Sequence, residues 1–204
     1  MKKYIFLILV SLIVSCGKKE EVRIPLGTEE IKEAINYGEK NASLTFTEFT
    51  EKWTIDYGYD YGKGKAILIT PFLRVALLAK NAKERGQKLE MKVINLALRE
   101  ISDKIVFRVT LYGDYGKFGK TAKFYLEYKG KRINPISSYT TFYSQFARDY
   151  THISEGEVKF PNREIPKDAK IKLIVSYIPF EREFQKGKPK ETICTFEFDL
   201  SKYK

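Results

Sequence analysis

Alternation of apolar and polar residues is the dominant pattern in the second half of this chain. At residues 104–112 it places Ile105, Phe107, Val109 and Leu111 on one face, which predicts a strand with that face in the core. Strands are also predicted at residues 44–57, 65–70, 121–128, 132–136, 156–160, 169–178 and 191–200. About seven or eight short strands joined by polar turns indicate a mainly β fold with α additions, an immunoglobulin-like β-sandwich. The Cys-Trp-Cys signature of immunoglobulin domains is absent, so this is an expectation about architecture alone.

Helical spacing replaces the alternation in two regions. Thr70 and Pro71 open the clearer one, in which apolar residues recur at helical spacing as far as Gly86. A second helix is predicted over 90–101, with Val93, Leu96, Ala97 and Ile101 on its apolar side. The pair predicts a helical hairpin inserted at about 71–101 and docked onto a sheet; the alternative is a membrane-lying or partner-binding element. An N-terminal helix is predicted over 29–37, capped by Thr28 and ended by Gly38.

Residues 137–153 show neither the alternation of a strand nor the apolar spacing of a helix. They carry Tyr139, Phe142, Tyr143, Phe146 and Tyr150 among small polar residues. Connections of this length are usually functional or cover a sheet edge. We therefore predict an irregular aromatic segment here.

The first residues have the composition of a secretion signal. Lys2 and Lys3 precede an apolar run over 4–14, and Cys16 follows immediately before a charged stretch. The run is too short to cross a bilayer core, which needs about 20 helical residues. We therefore predict a cleavable signal at 1–15.

The residues around the expected cleavage point resemble the lipobox of bacterial lipoproteins. The resemblance is carried by Ile13 at −3, Ser15 at −1 and Cys16 at +1. The resemblance covers only the N-terminal segment. It implies diacylglycerol on Cys16, cleavage after Ser15 and a permanent membrane tether, since two or three acyl chains hold a protein far longer than one. Gly17 in place of aspartate favours the outer membrane if the host is a diderm bacterium. The alternative is a secreted protein whose signal happens to contain a cysteine.

The predicted organisation follows from this assignment. Residues 16–27 are the lipidated cysteine and a spacer, and 28–204 form one globular β-rich domain.

The chain carries a formal net charge of +11, and its basic excess lies beyond residue 64. A basic exported domain can meet anionic lipids or acidic glycans, whereas nucleic acid is disfavoured by the compartment.

Candidate chemistry is sparse. The sequence has no glycine-rich phosphate loop, no His-Glu metal motif, no Cys-x-x-Cys and a single histidine, His152. With Cys16 lipidated, Cys194 has no disulfide partner and is expected to be a small buried hydrophobe. Asp56 and Asp60 can either bind calcium or form turns, and we expect turns. We expect no catalytic residue, metal or cofactor.

Two similar turns supply the candidate binding residues. The motif Asp-Tyr-Gly occurs in the turn at 56–64 and again in the turn at 112–119. Tyrosine supplies contact area at small entropic cost, so the tips can form one binding edge; the alternative is that the tyrosines fold back onto the sheet. The candidate binding residues are Tyr59, Tyr61 and Tyr115 with Lys63 and Lys117 beside them, and Tyr139 and Tyr143 from the aromatic segment.

Three functions remain open at this point. The one we expect is a non-catalytic envelope lipoprotein that binds or scaffolds another envelope protein. The alternatives are a binding module for an anionic glycan or small molecule, and a glycan hydrolase that works with carboxylates alone.

Overall fold

Nine strands form two antiparallel sheets in the part of the chain that a computed structural model describes, residues 26–147, 151–185, 187 and 189–203. The signal, the lipobox and Cys16 lie outside these residues. The five-stranded sheet has the order β1-β2-β3-β7-β6, and the four-stranded sheet has the order β5-β4-β8-β9. The strands are β1 Thr54–Asp56, β2 Gly64–Leu68, β3 Lys104–Gly113, β4 Lys123–Tyr128, β5 Lys131–Ile133, β6 Ser137–Ala147, β7 Thr151–Pro161, β8 Lys170–Tyr177 and β9 Thr192–Asp199.

One hydrophobic core is shared by the two sheets. On β3, Ile105, Phe107, Val109 and Leu111 are buried on one face, as their alternation predicts. The Phe107 ring lies 5.1 Å from the ring of Phe198 on β9 of the other sheet. The arrangement is therefore two antiparallel sheets packed around a common apolar core.

A second core lies on the opposite face of the five-stranded sheet. There Ile67, Ile69 and Val106 pack against residues of the helices. The α-helices are α1 Thr28–Lys40, α2 Phe46–Thr50, α3 Pro71–Glu84, α4 Met91–Ile101 and α5 Arg182–Gln185. Helices, five-stranded sheet and four-stranded sheet thus form three layers, and β3 is buried on both faces.

The hairpin of α3 and α4 docks onto the sheet as predicted. Thr70 Oγ1 accepts a hydrogen bond from the backbone N–H of Leu73, and Pro71 occupies the first helical position. The apolar side predicted for α4 is wrong in part, because Ile94 and Leu98 are buried while Val93 and Leu96 are exposed. Sequence spacing alone did not say which side of this helix meets the sheet.

Gly38 does not end the first helix. The helix continues to Lys40, and Gly38 lies inside it, where a Cβ atom would come within 2.7 Å of the Ala79 Cβ on α3. Gly38 therefore allows α1 and α3 to approach closely.

Two further expectations are corrected. Most of the predicted strand at 44–57 is helical, because Thr45 and Glu48 form a capping box that starts α2. Within the predicted irregular segment at 137–153, the described residues are strand: β6 up to Ala147 and β7 from Thr151 form an antiparallel pair, with a register shift between Tyr143 and Phe146. The short helix α5 was not predicted.

Candidate functional site

The two Asp-Tyr-Gly turns lie at the same end of the five-stranded sheet. Strands β2 and β3 are antiparallel neighbours in which Gly64 pairs with Leu111. The turn that enters β2 and the turn that leaves β3 are therefore adjacent. The expected juxtaposition of the two tips is found.

The last residue of β8 and the connection that follows it join both turns. The N–H of Asp114 donates to the carbonyl of Pro179 over 2.8 Å, and the Asp114 carboxylate accepts from the N–H of Glu181. On the other side, the Tyr177 hydroxyl accepts from the Gly62 N–H and donates to the Lys63 carbonyl. We call this surface, residues 57–63, 112–119 and 178–185, the aromatic loop end.

Tyr59 is the most exposed aromatic residue of the aromatic loop end. Its side chain is 73% exposed, and its only described ring contact is with Tyr112, 5.4 Å away between centroids. Tyr59 therefore presents most of its surface to solvent, as expected for a recognition residue.

Tyr115 is buried more than the sequence suggested. Its hydroxyl donates to the carbonyl of Ile178 over 3.0 Å, and its ring packs against the core shared by the sheets. Burial raises the pKa of this phenol. Tyr115 therefore folds back onto the sheet, which was the alternative to a binding edge, and it holds the loop after β3 against the end of β8.

Tyr61 is half-buried, as Tyr115 is. Its ring lies 4.8 Å from the ring of Phe180. It therefore joins the turn before β2 to the connection after β8.

The sequence analysis missed Tyr57 as a site residue. Its ring stacks on Phe196 at 5.2 Å, and its hydroxyl donates to the carbonyl of Thr195, while 46% of the residue stays exposed. Tyr57 therefore connects the edge of one sheet to β9 of the other. The sequence did offer a signal for Tyr57, since it is the tyrosine of the Asp-Tyr-Gly motif that directly follows β1. Phe180 and Phe184 were missed without any such signal.

The two predicted lysines do not form a concentrated positive patch. Lys63 pairs with Asp60 at 3.5 Å, and Lys117 is exposed. Asp56 accepts from the Gly58 N–H and Asp60 from the Tyr61 N–H. Both aspartates therefore act as turn formers, as expected.

Tyr139 and Tyr143 occupy different parts of the sheet. Tyr139 pairs with Glu157 halfway along β7 and is 60% exposed. Tyr143 pairs with Ile153, which pairs with Tyr112, so its backbone lies at the aromatic loop end; its side chain lies outside what the structure describes. Of these two tyrosines, only Tyr143 lies where it can extend the aromatic loop end.

Cys194 is free and buried in the core between the sheets. Burial raises the pKa of its thiol to about 11. At neutral pH the thiol is therefore protonated, which disfavours a nucleophilic role.

Two cavities lie away from the aromatic loop end. One, of about 290 Å³, is at the opposite end of the sheets, where Leu26 begins the described chain beside Ile105 and Leu200. The other, of about 430 Å³, is a groove between α2, α3 and β3. Neither is lined by any of the predicted tyrosines.

Within the described residues, no group of three or more His, Cys, Asp or Glu side chains is placed to hold a metal ion. None of the helices in that part of the chain combines the length and the apolar character needed to cross a bilayer. Comparison with known proteins found no matching family model, and no curated protein or solved structure with significant similarity to this chain.

Proposed function

We propose that this protein is a lipid-anchored, non-catalytic binding protein of the bacterial cell envelope, and that its aromatic loop end contacts another envelope protein. The observation that carries the proposal is the convergence of exposed and half-exposed aromatic rings on three connections at one end of the sheets. Rigid tyrosine and phenylalanine side chains on such connections are typical of interface anchors.

The course of the chain leaves the aromatic loop end free of the anchor. The described chain enters at Leu26, at the cavity end, and β3 runs from that end to the aromatic loop end over ten residues, about 33 Å. Residues 16–25 span at most about 36 Å in any conformation. Because this reach is about as long as β3, a lipid on Cys16 would not fix the orientation of the domain. It would attach the anchor to the cavity end, which is opposite the aromatic loop end.

We further propose that the sandwich is immunoglobulin-like. Apart from β1, the orders β2-β3-β7-β6 and β5-β4-β8-β9 correspond to the strand orders ABED and C′CFG of that architecture. In these terms the aromatic loop end consists largely of the B–C and F–G connections, which carry binding loops in antibody variable domains. This support is an analogy of fold, and the aromatic side chains carry the functional argument.

A photo-crosslinking experiment in cells tests the function. A photoreactive residue at Lys117, on the aromatic loop end, should give a discrete protein adduct of the full chain. The matched control is the same residue at exposed Lys167 on the cavity end, which should give no such adduct. Adding Tyr59→Ser should reduce the Lys117 adduct by about tenfold, a loss of about 1.4 kcal/mol.

Tyr59→Ser is chosen because the side chain is mostly exposed, so the melting temperature should stay nearly unchanged. Equal adducts from both positions, or an adduct that Tyr59→Ser leaves intact, would contradict recognition by the aromatic loop end.

A further inference from the structure

Strand β6 is an unprotected sheet edge. Among the described strands it pairs only with β7, so the backbone groups on its outer side have no strand partner. The register with β7 is regular from Ser137 to Tyr143 and shifts only beyond that point. Seven consecutive residues therefore present a regular, unpaired β edge.

The other three edges are shorter or protected. Strands β1 and β5 have three residues each. Strand β9 carries Glu197, which pairs with Lys172, and its Thr195 carbonyl already accepts the Tyr57 hydroxyl. Short length and charge are usual means by which proteins prevent edge pairing, and β6 has neither over 137–143. The described side-chain contact of this stretch, from the Thr140 hydroxyl to the Gly119 carbonyl, lies between β6 and the turn after β3.

The composition of β6 is unusual for this chain. No Asp, Glu, Lys, Arg or His occurs anywhere in 134–147, although 31% of the whole sequence is charged. Ser137 and Ser138 are exposed, as are the apolar side chains of Ile136 and Tyr139. An edge strand that lacks charges and exposes apolar side chains is a template for another strand.

We propose that β6 pairs antiparallel with β6 of a second copy of this chain, which joins the two five-stranded sheets into one. Without Lys2 and Lys3 of the predicted signal, the net charge of +11 becomes +9, so two mature copies repel each other electrostatically. An uncharged strand is the place where like-charged copies can meet. Antiparallel pairing about a two-fold axis is also self-complementary, since each copy offers the same donors and acceptors. This inference is independent of what the aromatic loop end binds.

The test is the oligomeric state of the full chain in detergent, measured by sedimentation velocity over a range of protein concentrations. Micelles are kept in large excess over protein, so that two acylated chains do not share a micelle by chance. We expect a concentration-dependent monomer–dimer equilibrium.

Ser138→Lys places a charge on the exposed edge of β6, and because a lysine on an edge strand opposes pairing with another strand, it should raise the dimer dissociation constant at least about tenfold. Ser43→Lys is the matched control, because Ser43 is also exposed and lies between α1 and α2; it should leave the constant unchanged. Equal melting temperatures of the two variants, measured at a protein concentration where both are monomeric, show that Ser138→Lys folds.

Three outcomes would overturn the proposal. The first is a monomer at every concentration, and the second is a dimer that Ser138→Lys leaves intact. The third is a different protein that copurifies in stoichiometric amount and is released by Ser138→Lys, since that result assigns the edge to another partner.

Discussion

At the scale of single residues, neighbours in sequence have opposite roles on β3. Phe107 is fully buried, and its ring contacts Phe160 of the same sheet and Phe198 of the other. Arg108 lies on the other face, where its guanidinium bonds Glu155 at 2.6 Å and stacks over the Phe46 ring. The period of two in the sequence therefore separates a core position from a surface position.

We expect Phe107→Ala to lower the free energy of unfolding by about 3 to 5 kcal/mol, since it leaves a cavity between the sheets. Arg108→Ala should cost less than about 1 kcal/mol, because the side chains of its ion pair are 42% and 38% exposed. Urea denaturation of both variants measures the difference. Similar losses in the two variants would contradict the register of β3.

Gly38 illustrates a residue whose role depends on another helix. Alanine favours an isolated helix over glycine by about 1 kcal/mol, yet Gly38→Ala should destabilise the protein, because the new methyl group meets the Ala76 backbone and the Ala79 side chain. The control is Gly27→Ala at the start of α1, where the nearest atom is 3.6 Å away. Thermal unfolding should show a clear decrease for the first variant and a smaller one for the second, since Gly27 is the N-cap of α1 and alanine is a poorer N-cap than glycine.

At the scale of elements, ion pairs tie the helical layer to the sheet. Glu100 on α4 bonds Lys159 on β7 at 2.8 Å and Arg74 on α3 at 3.2 Å. The hydrogen bond from Lys159 is the main cause that lowers the pKa of Glu100 below its ordinary value of 4.5. The charged form of Glu100 is therefore favoured in the folded state.

This lowered pKa predicts a pH dependence. A carboxyl group with a depressed folded pKa stabilises the protein above its unfolded pKa, and the contribution disappears as the pH falls through the folded pKa. Wild type should therefore be more stable than Glu100→Gln at neutral pH, and the difference should shrink as the pH falls below about 4.5. Urea unfolding of both proteins from pH 7 to pH 3 checks this, and a difference independent of pH would contradict it.

Prediction of elements from the sequence succeeded where one strong local signal acted alone. Thr70, Pro71 and Gly86 mark the ends of α3, and alternation marks β3 and β8. It failed at α2, where aromatic and β-branched residues indicated a strand while the capping pair Thr45 and Glu48 began a helix. It failed again at β6, whose mixture of Ser, Thr and aromatic residues has no clear period.

At the scale of the whole molecule, the described chain begins at the end of the sheets opposite the aromatic loop end, and the proposed anchor at Cys16 precedes it in sequence. We expect Cys16→Ser to leave the protein unacylated, so that it moves from the detergent phase to the aqueous phase or accumulates unprocessed. Detergent-phase partitioning of whole cells, with Cys194→Ser as the control for loss of a cysteine, measures this. Unchanged detergent partitioning of Cys16→Ser would contradict the lipid anchor.

The sequence by itself determined the strands with clean alternation, the inserted helical hairpin, the turn-forming aspartates and the candidate tyrosines. These features depend on contacts within a few residues or on a period that local composition reveals. The tertiary structure decided which face of α4 is buried, why Gly38 lies inside a helix, that β6 is a sheet edge, and that Tyr115 is half-buried while Tyr59 is exposed. Each of these depends on contacts between residues far apart in the chain, such as Gly38 with Ala76 and Tyr115 with Ile178. Local sequence patterns do not reveal such contacts.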